Sequence, residues 1–128
     1  MADTAIIKVV DASALAALVF DEPAGDQVAQ LIDDCELVAP SLLRFEMANV
    51  CWAKTRRKPE EQAALMAALR MPGIVVETVE VDHHAVVELA LQTGLTTYDA
   101  SYLWLARDLA IELVTLDRQL AEAAEKFQ

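Results

Sequence analysis

The sequence contains few of the residues that interrupt a compact fold. Only 3 glycines and 4 prolines occur among 128 residues, and there is no serine- or glycine-rich linker, internal repeat or low-complexity segment. With 55% hydrophobic residues, the chain is expected to form a single domain over residues 1–128, because a second hydrophobic core would not fit into this length.

The sequence also lacks a membrane segment and a cysteine framework. Charges break the longest apolar runs well before the ~18 residues of a spanning helix, and residues 1–4 do not resemble the basic start of a signal peptide. Cys35 and Cys51 follow neither a metal-ligand nor a redox spacing. We therefore expect a cytoplasmic protein that does not contact a membrane and keeps both cysteines as buried free thiols.

Positive charge is scarce as well. The formal net charge is −11, which argues against a broad, sequence-independent surface for nucleic acid but leaves room for a small one. Six of the ten basic residues fall within one stretch of helical pattern: Arg44, Lys54, Arg56, Arg57, Lys58 and Arg70. This local positive patch is interpreted either as a solvated helix end or as a site of RNA contact.

Sequence motifs of the common nucleotide-binding, hydrolase and redox sites are absent, since no Gly-x-Gly-x-x-Gly, P-loop, Gly-x-Ser-x-Gly or Cys-x-x-Cys occurs. His83 and His84 are adjacent, and their side chains would diverge by about 100° on a helix, so we expect surface or cap residues rather than ligands of one metal. The larger aromatic residues are expected in the core or in subunit contacts: Phe45, Trp52, Tyr98, Tyr102 and Trp104.

Short β-branched or aliphatic runs alternate with stretches of helical periodicity. This alternation predicts an α/β fold with a parallel sheet. The predicted strands are residues 6–10, 37–38, 74–81 and 111–115. The predicted helices are residues 12–20, 24–34, 41–58, 60–71, 83–93, 99–110 and 118–126.

Four carboxylates stand at positions that should be turned toward the interior: Asp11, Glu46, Asp99 and Asp117. Asp11 and Asp117 follow predicted strands, at the sheet edge where parallel α/β folds gather ligands. Each of these two could simply cap the helix that follows it, and Asp99 fits the capping-box pattern that begins at Thr96.

Glu46 cannot be explained as a helix cap. On a helical wheel it falls between Leu42 and Val50, with Asn49 one turn along the same arc. An inward Glu and Asn are either a satisfied polar pair in the core or members of a site. Because one site explains all four acids together, site membership is favoured.

Several desolvated carboxylates gathered in one place would repel one another and resist ionisation, so they imply a bound cation. A set of oxygen ligands selects Mg²⁺ or Mn²⁺ over zinc. The residues therefore predict a metal-dependent phosphoryl-transfer enzyme. In such a site the metal activates a water and neutralises charge on phosphorus.

Two alternatives remain open. Aspartyl-phosphate chemistry would use Asp11 as a nucleophile, but the late lysine of receiver domains and the Asp-x-Asp of dehalogenase-like phosphatases are missing. A non-catalytic interaction module would use the same acids only to bind a basic peptide.

The ordered set of motifs resembles the PIN-domain ribonucleases, and more narrowly the VapC toxins of toxin–antitoxin pairs. The resemblance covers the chain from about Ile6 to Ala123. The segments that carry it are Val9-Val10-Asp11-Ala12-Ser13-Ala14, Phe45-Glu46-Met47-Ala48-Asn49, Leu95-Thr96-Thr97-Tyr98-Asp99-Ala100-Ser101-Tyr102 and Val114-Thr115-Leu116-Asp117.

The resemblance implies a three-layer α/β/α PIN-like sandwich with a central parallel sheet of four or five strands. It also implies an RNA-cutting site in which Asp11, Glu46, Asp99 and Asp117 hold Mg²⁺ or Mn²⁺ and act in catalysis, supported by the polar groups of Ser13, Asn49 and Thr115. A homodimer silenced by a small antitoxin is the expected assembly.

Overall fold

Four parallel strands form the centre of the molecule in the computed structural model, which describes residues 5–128. Residues 1–4, on which the expectation of no signal peptide depends, lie outside the described part. The strands are β1 (Ile6–Val10), β2 (Cys35–Pro40), β3 (Val76–Val79) and β4 (Leu113–Val114). Their order in the sheet is β3-β2-β1-β4, with Val9 paired to Val38 on one side and to Leu113 on the other.

Seven α-helices cover the sheet. They are α1 (Ala12–Val19), α2 (Gly25–Ile32), α3 (Leu43–Arg57), α4 (Gln62–Leu69), α5 (His83–Thr93), α6 (Thr97–Leu109) and α7 (Arg118–Phe127), with a short 3₁₀ turn at Pro59–Glu61. Helices α1 to α4 contact one another, and α5 to α7 form a second group. Right-handed crossovers in a sheet of this order place the two groups on opposite faces. The three-layer α/β/α prediction is confirmed, with four strands in the described residues.

The predicted elements are present, with bounds that differ by up to two residues at most ends, and tertiary contacts explain two of the differences. Strand β2 begins earlier than predicted because Cys35 and Glu36 pair with Ile6 and Ile7 of β1. Helix α3 begins later because the Ser41 N–H still donates to the carbonyl of Val79, at 3.0 Å.

The core lies between the sheet and the two helical layers. Val9 and Val10 of β1 are fully buried, as are Leu15, Leu103 and Leu120 from α1, α6 and α7. No helix within residues 5–128 is long and apolar enough to cross a membrane.

One expectation about burial was wrong. Both cysteines are free, but only Cys51 is buried, since Cys35 at the start of β2 is partly exposed. The aromatic residues were expected in the core or in subunit contacts. Tyr102 is in the core, whereas Phe45, Trp52 and Tyr98 are exposed and Trp104 is half-buried, so subunit contact stays a prediction for these four.

Candidate active site

The carboxyl ends of β1 and β4 lie side by side and position the first two acids. Asp11 follows β1 directly, and its N–H donates to the carbonyl of Val114 in β4, at 3.2 Å. Asp117 stands three residues beyond Val114. The sheet order changes direction here, because β1 lies between its successor β2 and the last strand β4. Such a switch point is where open α/β sheets bind ligands.

Asp11 is a buried carboxylate, only 4% exposed, whose two oxygens are both held. Oδ1 accepts from the Ser13 hydroxyl at 2.7 Å and from the Ala14 N–H at 3.0 Å, and Oδ2 accepts from the Thr115 hydroxyl at 2.5 Å. Burial raises the pKa of Asp11, these hydrogen bonds oppose the rise, and the charge of Asp117 adds to it. Asp11 therefore caps α1 and also belongs to an acidic cluster.

Two hydroxyl groups connect Asp11 to Asp117. The Thr115 hydroxyl oxygen accepts from the Asp117 N–H at 3.0 Å, and that of Ser13 accepts from the Leu116 N–H at 3.0 Å. Asp117 in turn caps α7, since its Oδ1 accepts from the Leu120 N–H at 2.9 Å. Ser13 and Thr115 thus fix the loop after β4 against the start of α1.

Glu46 projects from α3 toward Tyr102 of α6. The Tyr102 hydroxyl donates to Glu46 Oε1 at 2.6 Å. Burial raises the pKa of Glu46, the hydrogen bond from Tyr102 lowers it, and the charges of Asp99 and Asp11 raise it further. The inward position predicted for Glu46 is consistent with this half-buried environment.

Asp99 lies in the first turn of α6 but does not cap the helix through its side chain. That role belongs to Thr96, whose hydroxyl oxygen accepts from the Asp99 N–H at 3.2 Å. Burial raises the pKa of the Asp99 carboxyl, and the charges of Asp117 and Asp11 raise it further. The helix therefore begins at Thr97, directly after the Thr96 cap and two residues before the predicted start at residue 99, while the Asp99 carboxylate faces the other acids.

The four carboxylates form one electrostatic cluster, because the pKa of each of Asp11, Glu46 and Asp99 is raised by the charge of at least one other member. Within residues 5–128, no three Asp, Glu, His or Cys side chains lie close enough together to hold a metal ion without rearrangement. The donor chemistry nevertheless fits a hard divalent cation, since the cluster offers carboxylate and hydroxyl oxygens and neither sulfur nor imidazole. The residues that would hold Mg²⁺ or Mn²⁺ are Asp11, Glu46, Asp99 and Asp117.

Asn49 was predicted to point inward together with Glu46, but it does not. It is exposed on α3 and lines a groove beside Glu46. The buried stripe of α3 consists instead of Leu43, Met47 and Cys51. The wheel placed Asn49 and Glu46 together correctly, but assigned their shared arc to the core rather than to its rim.

The basic residues of α3 do not converge on the acids, and several are engaged elsewhere. The Lys54 ammonium pairs with Glu22 at 2.7 Å, and that of Lys58 pairs with Glu61 at 3.6 Å. The Arg56 guanidinium lies 5.0 Å from the Trp52 ring centre. Arg44 donates to the carbonyl of Val76 in β3, at 3.4 Å, and Arg57 lines a separate pocket with Lys54 and Lys58. RNA contact by these five side chains stays a prediction.

Sequence reasoning missed the role of Tyr102. It was expected in the core or in a subunit contact, and its ring is indeed buried, but its hydroxyl reaches Glu46 from another helix. Burial and this carboxylate raise the pKa of the Tyr102 hydroxyl, which keeps it protonated as a donor. The available signal was spacing, because Tyr102 follows Asp99 by three residues and so shares its helix face.

Tyr102→Phe is expected to reduce activity without unfolding the protein. The variant keeps the ring and removes one hydrogen bond to a charged group, worth about 1.5–3 kcal/mol. Glu46 then loses its fixed orientation, and we expect the turnover rate at the acidic site to fall about tenfold. The wild type is the reference. Equal activity in Tyr102→Phe and the wild type, measured with folding monitored by circular dichroism, would show that the bond does not orient Glu46.

Comparison with known proteins identifies the family. The sequence matches the PIN domain over residues 8–126. It is 38% identical over 122 residues to Ribonuclease VapC3 of Pyrobaculum aerophilum, covering 89% of this chain and 92% of that protein. It is 34% identical over 79 residues to Exonuclease VapC9 of the same organism, covering 59% of this chain and 58% of that protein.

A solved structure supports the same assignment. The crystal structure of PAE2754 from Pyrobaculum aerophilum superposes with a TM-score of 0.76 at 29% sequence identity, covering 95% of this chain and 89% of that chain. The chain belongs to the PIN-domain family. The resemblance to VapC-type toxins that the sequence predicted is confirmed by the similarity to VapC3.

Proposed function

We propose that the protein is a metal-dependent endoribonuclease and the toxin of a type II toxin–antitoxin pair. The observation that carries the proposal is the cluster of four carboxylates at the sheet's switch point, three of them with a raised pKa. The names of the relatives, a ribonuclease and an exonuclease, support a nuclease that hydrolyses phosphodiester bonds.

The chain's residues would bind and orient a divalent metal. Asp11 and Asp117 enter from strand ends, Asp99 from the N-terminus of α6 and Glu46 from the middle of α3. Ser13 and Thr115 hold the Asp11 oxygens, and Tyr102 holds Glu46. When bound, Mg²⁺ or Mn²⁺ would lower the pKa of a coordinated water and place positive charge next to the phosphate. We expect products with 5′-phosphate and 3′-hydroxyl ends.

Aspartyl-phosphate transfer is less compatible with the sequence. A nucleophilic Asp11 would need the late lysine of receiver domains or the Asp-x-Asp of dehalogenase-like phosphatases, and neither is present. The remaining alternative, a non-catalytic interaction module, differs only in lacking turnover.

The proposal includes an assembly. We infer a cytoplasmic homodimer whose activity is blocked by a small antitoxin. The exposed apolar side chains of Val87 and Leu91, one turn apart on α5, support a surface that is covered in an assembly.

The purified protein, freed of antitoxin, is expected to cleave RNA in Mg²⁺ or Mn²⁺ and to stop in EDTA. A covalently closed circular RNA separates the two nuclease types, because it has no end for an exonuclease to begin at. Linearisation of the circle, followed by mapping of the product ends, supports the endoribonuclease. Cleavage of linear RNA alone would make the protein an exonuclease, and metal-independent cleavage or none would contradict a metal-dependent nuclease.

A further inference from the structure

A groove of about 540 Å³ lies directly beside the acidic cluster. Its walls are mostly apolar, and Glu46 is one of them: Ala12, Leu42, Phe45, Glu46, Asn49, Val50 and Tyr98. Two aromatic side chains on its rim are turned to solvent, since Phe45 is 84% and Tyr98 is 64% exposed. A contiguous exposed apolar surface of this kind, with polar groups beside it, is typical of a binding groove.

The two exposed rings are immediate chain neighbours of the proposed ligands. Phe45 precedes Glu46 on α3, and Tyr98 precedes Asp99 in the first turn of α6. Because Glu46 itself lines the groove, an RNA phosphate at the carboxylates would bring the nucleotide next to it over this groove. The groove is thus continuous with the site where the bond is cut.

Within the described part of the chain, no positively charged side chain lines this groove. The protein carries a net charge of −11, and the cations of α3 pair with acids or lie elsewhere, as Lys54 does with Glu22. A protein that holds a single strand without many phosphate contacts must rely on its bases. Stacking on aromatic rings is the interaction available here, and it requires unpaired bases.

We propose that this groove binds an unpaired nucleobase of the RNA substrate, with Phe45 and Tyr98 as stacking surfaces and Asn49 as the amide that hydrogen-bonds the base edge. This inference rests on the proposed function and specifies which kind of RNA is cut. The substrate is single-stranded at the cleavage site, and specificity comes from the base beside the cut phosphate.

The test uses Phe45→Ala with Trp52→Ala as the matched control. Trp52 is also an exposed aromatic residue of α3, at 56%, but it does not line the groove. On a short single-stranded RNA in Mn²⁺, kcat/KM of Phe45→Ala should fall about 10- to 100-fold, the range expected for loss of one stacked base. Phe45→Trp should retain activity, and Trp52→Ala should resemble the wild type.

A modified substrate shows whether Phe45 meets a base. An abasic nucleotide is introduced next to the cleaved phosphate, on either side in turn. At one of the two positions the wild type should lose about as much kcat/KM as Phe45→Ala loses on normal RNA. The variant should lose little more on the abasic RNA, because the same contact is already absent.

Other outcomes overturn the inference. Additive losses from the variant and the abasic substrate, or an unaffected Phe45→Ala, would mean that no base stacks there. If light scattering shows a wild-type dimer that Phe45→Ala converts to monomers, with activity lost in parallel, a second copy covers the groove instead. A wild type that cleaves no RNA at all would be a failure of the proposed function, and the inference would fall with it.

Discussion

Replacing Glu46 by Gln is expected to lower RNA cleavage by about 10³-fold or more while leaving the metal-free protein at least as stable as the wild type. The side chain keeps its shape and an oxygen that accepts from the Tyr102 hydroxyl, now 2.6 Å from Oε1. It loses a charge that burial and the charges of Asp99 and Asp11 disfavour. A metal ligand is thereby removed without opening a cavity.

The control for this variant is Glu60→Gln, which removes the same charge from an exposed position in the 3₁₀ turn. Cleavage and thermal melting in EDTA are measured for both proteins. A Glu46→Gln protein that is strongly destabilised in EDTA and still cuts RNA would show that Glu46 is a structural acid of the core.

Saturating Mn²⁺ is expected to stabilise the wild type by about 1–3 kcal/mol when its concentration is 10 to 100 times the dissociation constant. The gain should be smaller in Asp99→Asn, because that variant lacks a ligand. In EDTA the order should reverse, and Asp99→Asn should be the more stable protein, since it lacks a charge that burial and the charges of Asp117 and Asp11 disfavour.

The reversal in EDTA should depend on pH. The pKa of Asp99 is raised by folding above its ordinary value of 3.8, so the folded protein holds this proton more tightly than the unfolded chain. Its charge therefore costs nothing well below pH 3.8. The cost grows as the pH rises from there to the folded-state pKa and is constant above it. Urea unfolding of both proteins should show the advantage of Asp99→Asn growing with pH across this window. No growth there, or a shrinking difference, would contradict the raised pKa of Asp99.

The sequence predicted the order of elements well because hydrophobic periodicity follows directly from helix and strand geometry. Three site residues, Asp11, Asp99 and Asp117, could be placed because each lies at a strand end or helix start. Such positions are marked locally, by the apolar run of β1 before Asp11 or by the Thr96 cap before Asp99.

The remaining features depend on contacts that no local pattern records. Tyr102 and Glu46 are 56 residues apart, and the hydrogen bond between them exists only because α6 packs against the same sheet end as α3. The ion pair between Lys54 and Glu22 also joins residues that are distant in sequence. It neutralises Lys54 and so interrupts the basic patch that the sequence predicted. The exposure of Phe45 likewise follows from which side of α3 meets the sheet.

The acidic cluster as a metal site is tested most directly by anomalous diffraction from crystals of the wild type soaked in Mn²⁺. Anomalous density is expected at the carboxyl ends of β1 and β4, within about 2.0–2.3 Å of carboxylate oxygens of Asp11 and at least one of Glu46, Asp99 and Asp117. The density should weaken or vanish in Asp99→Asn crystals treated in the same way. Manganese bound elsewhere, in a protein that cleaves RNA under the same conditions, would contradict the assignment.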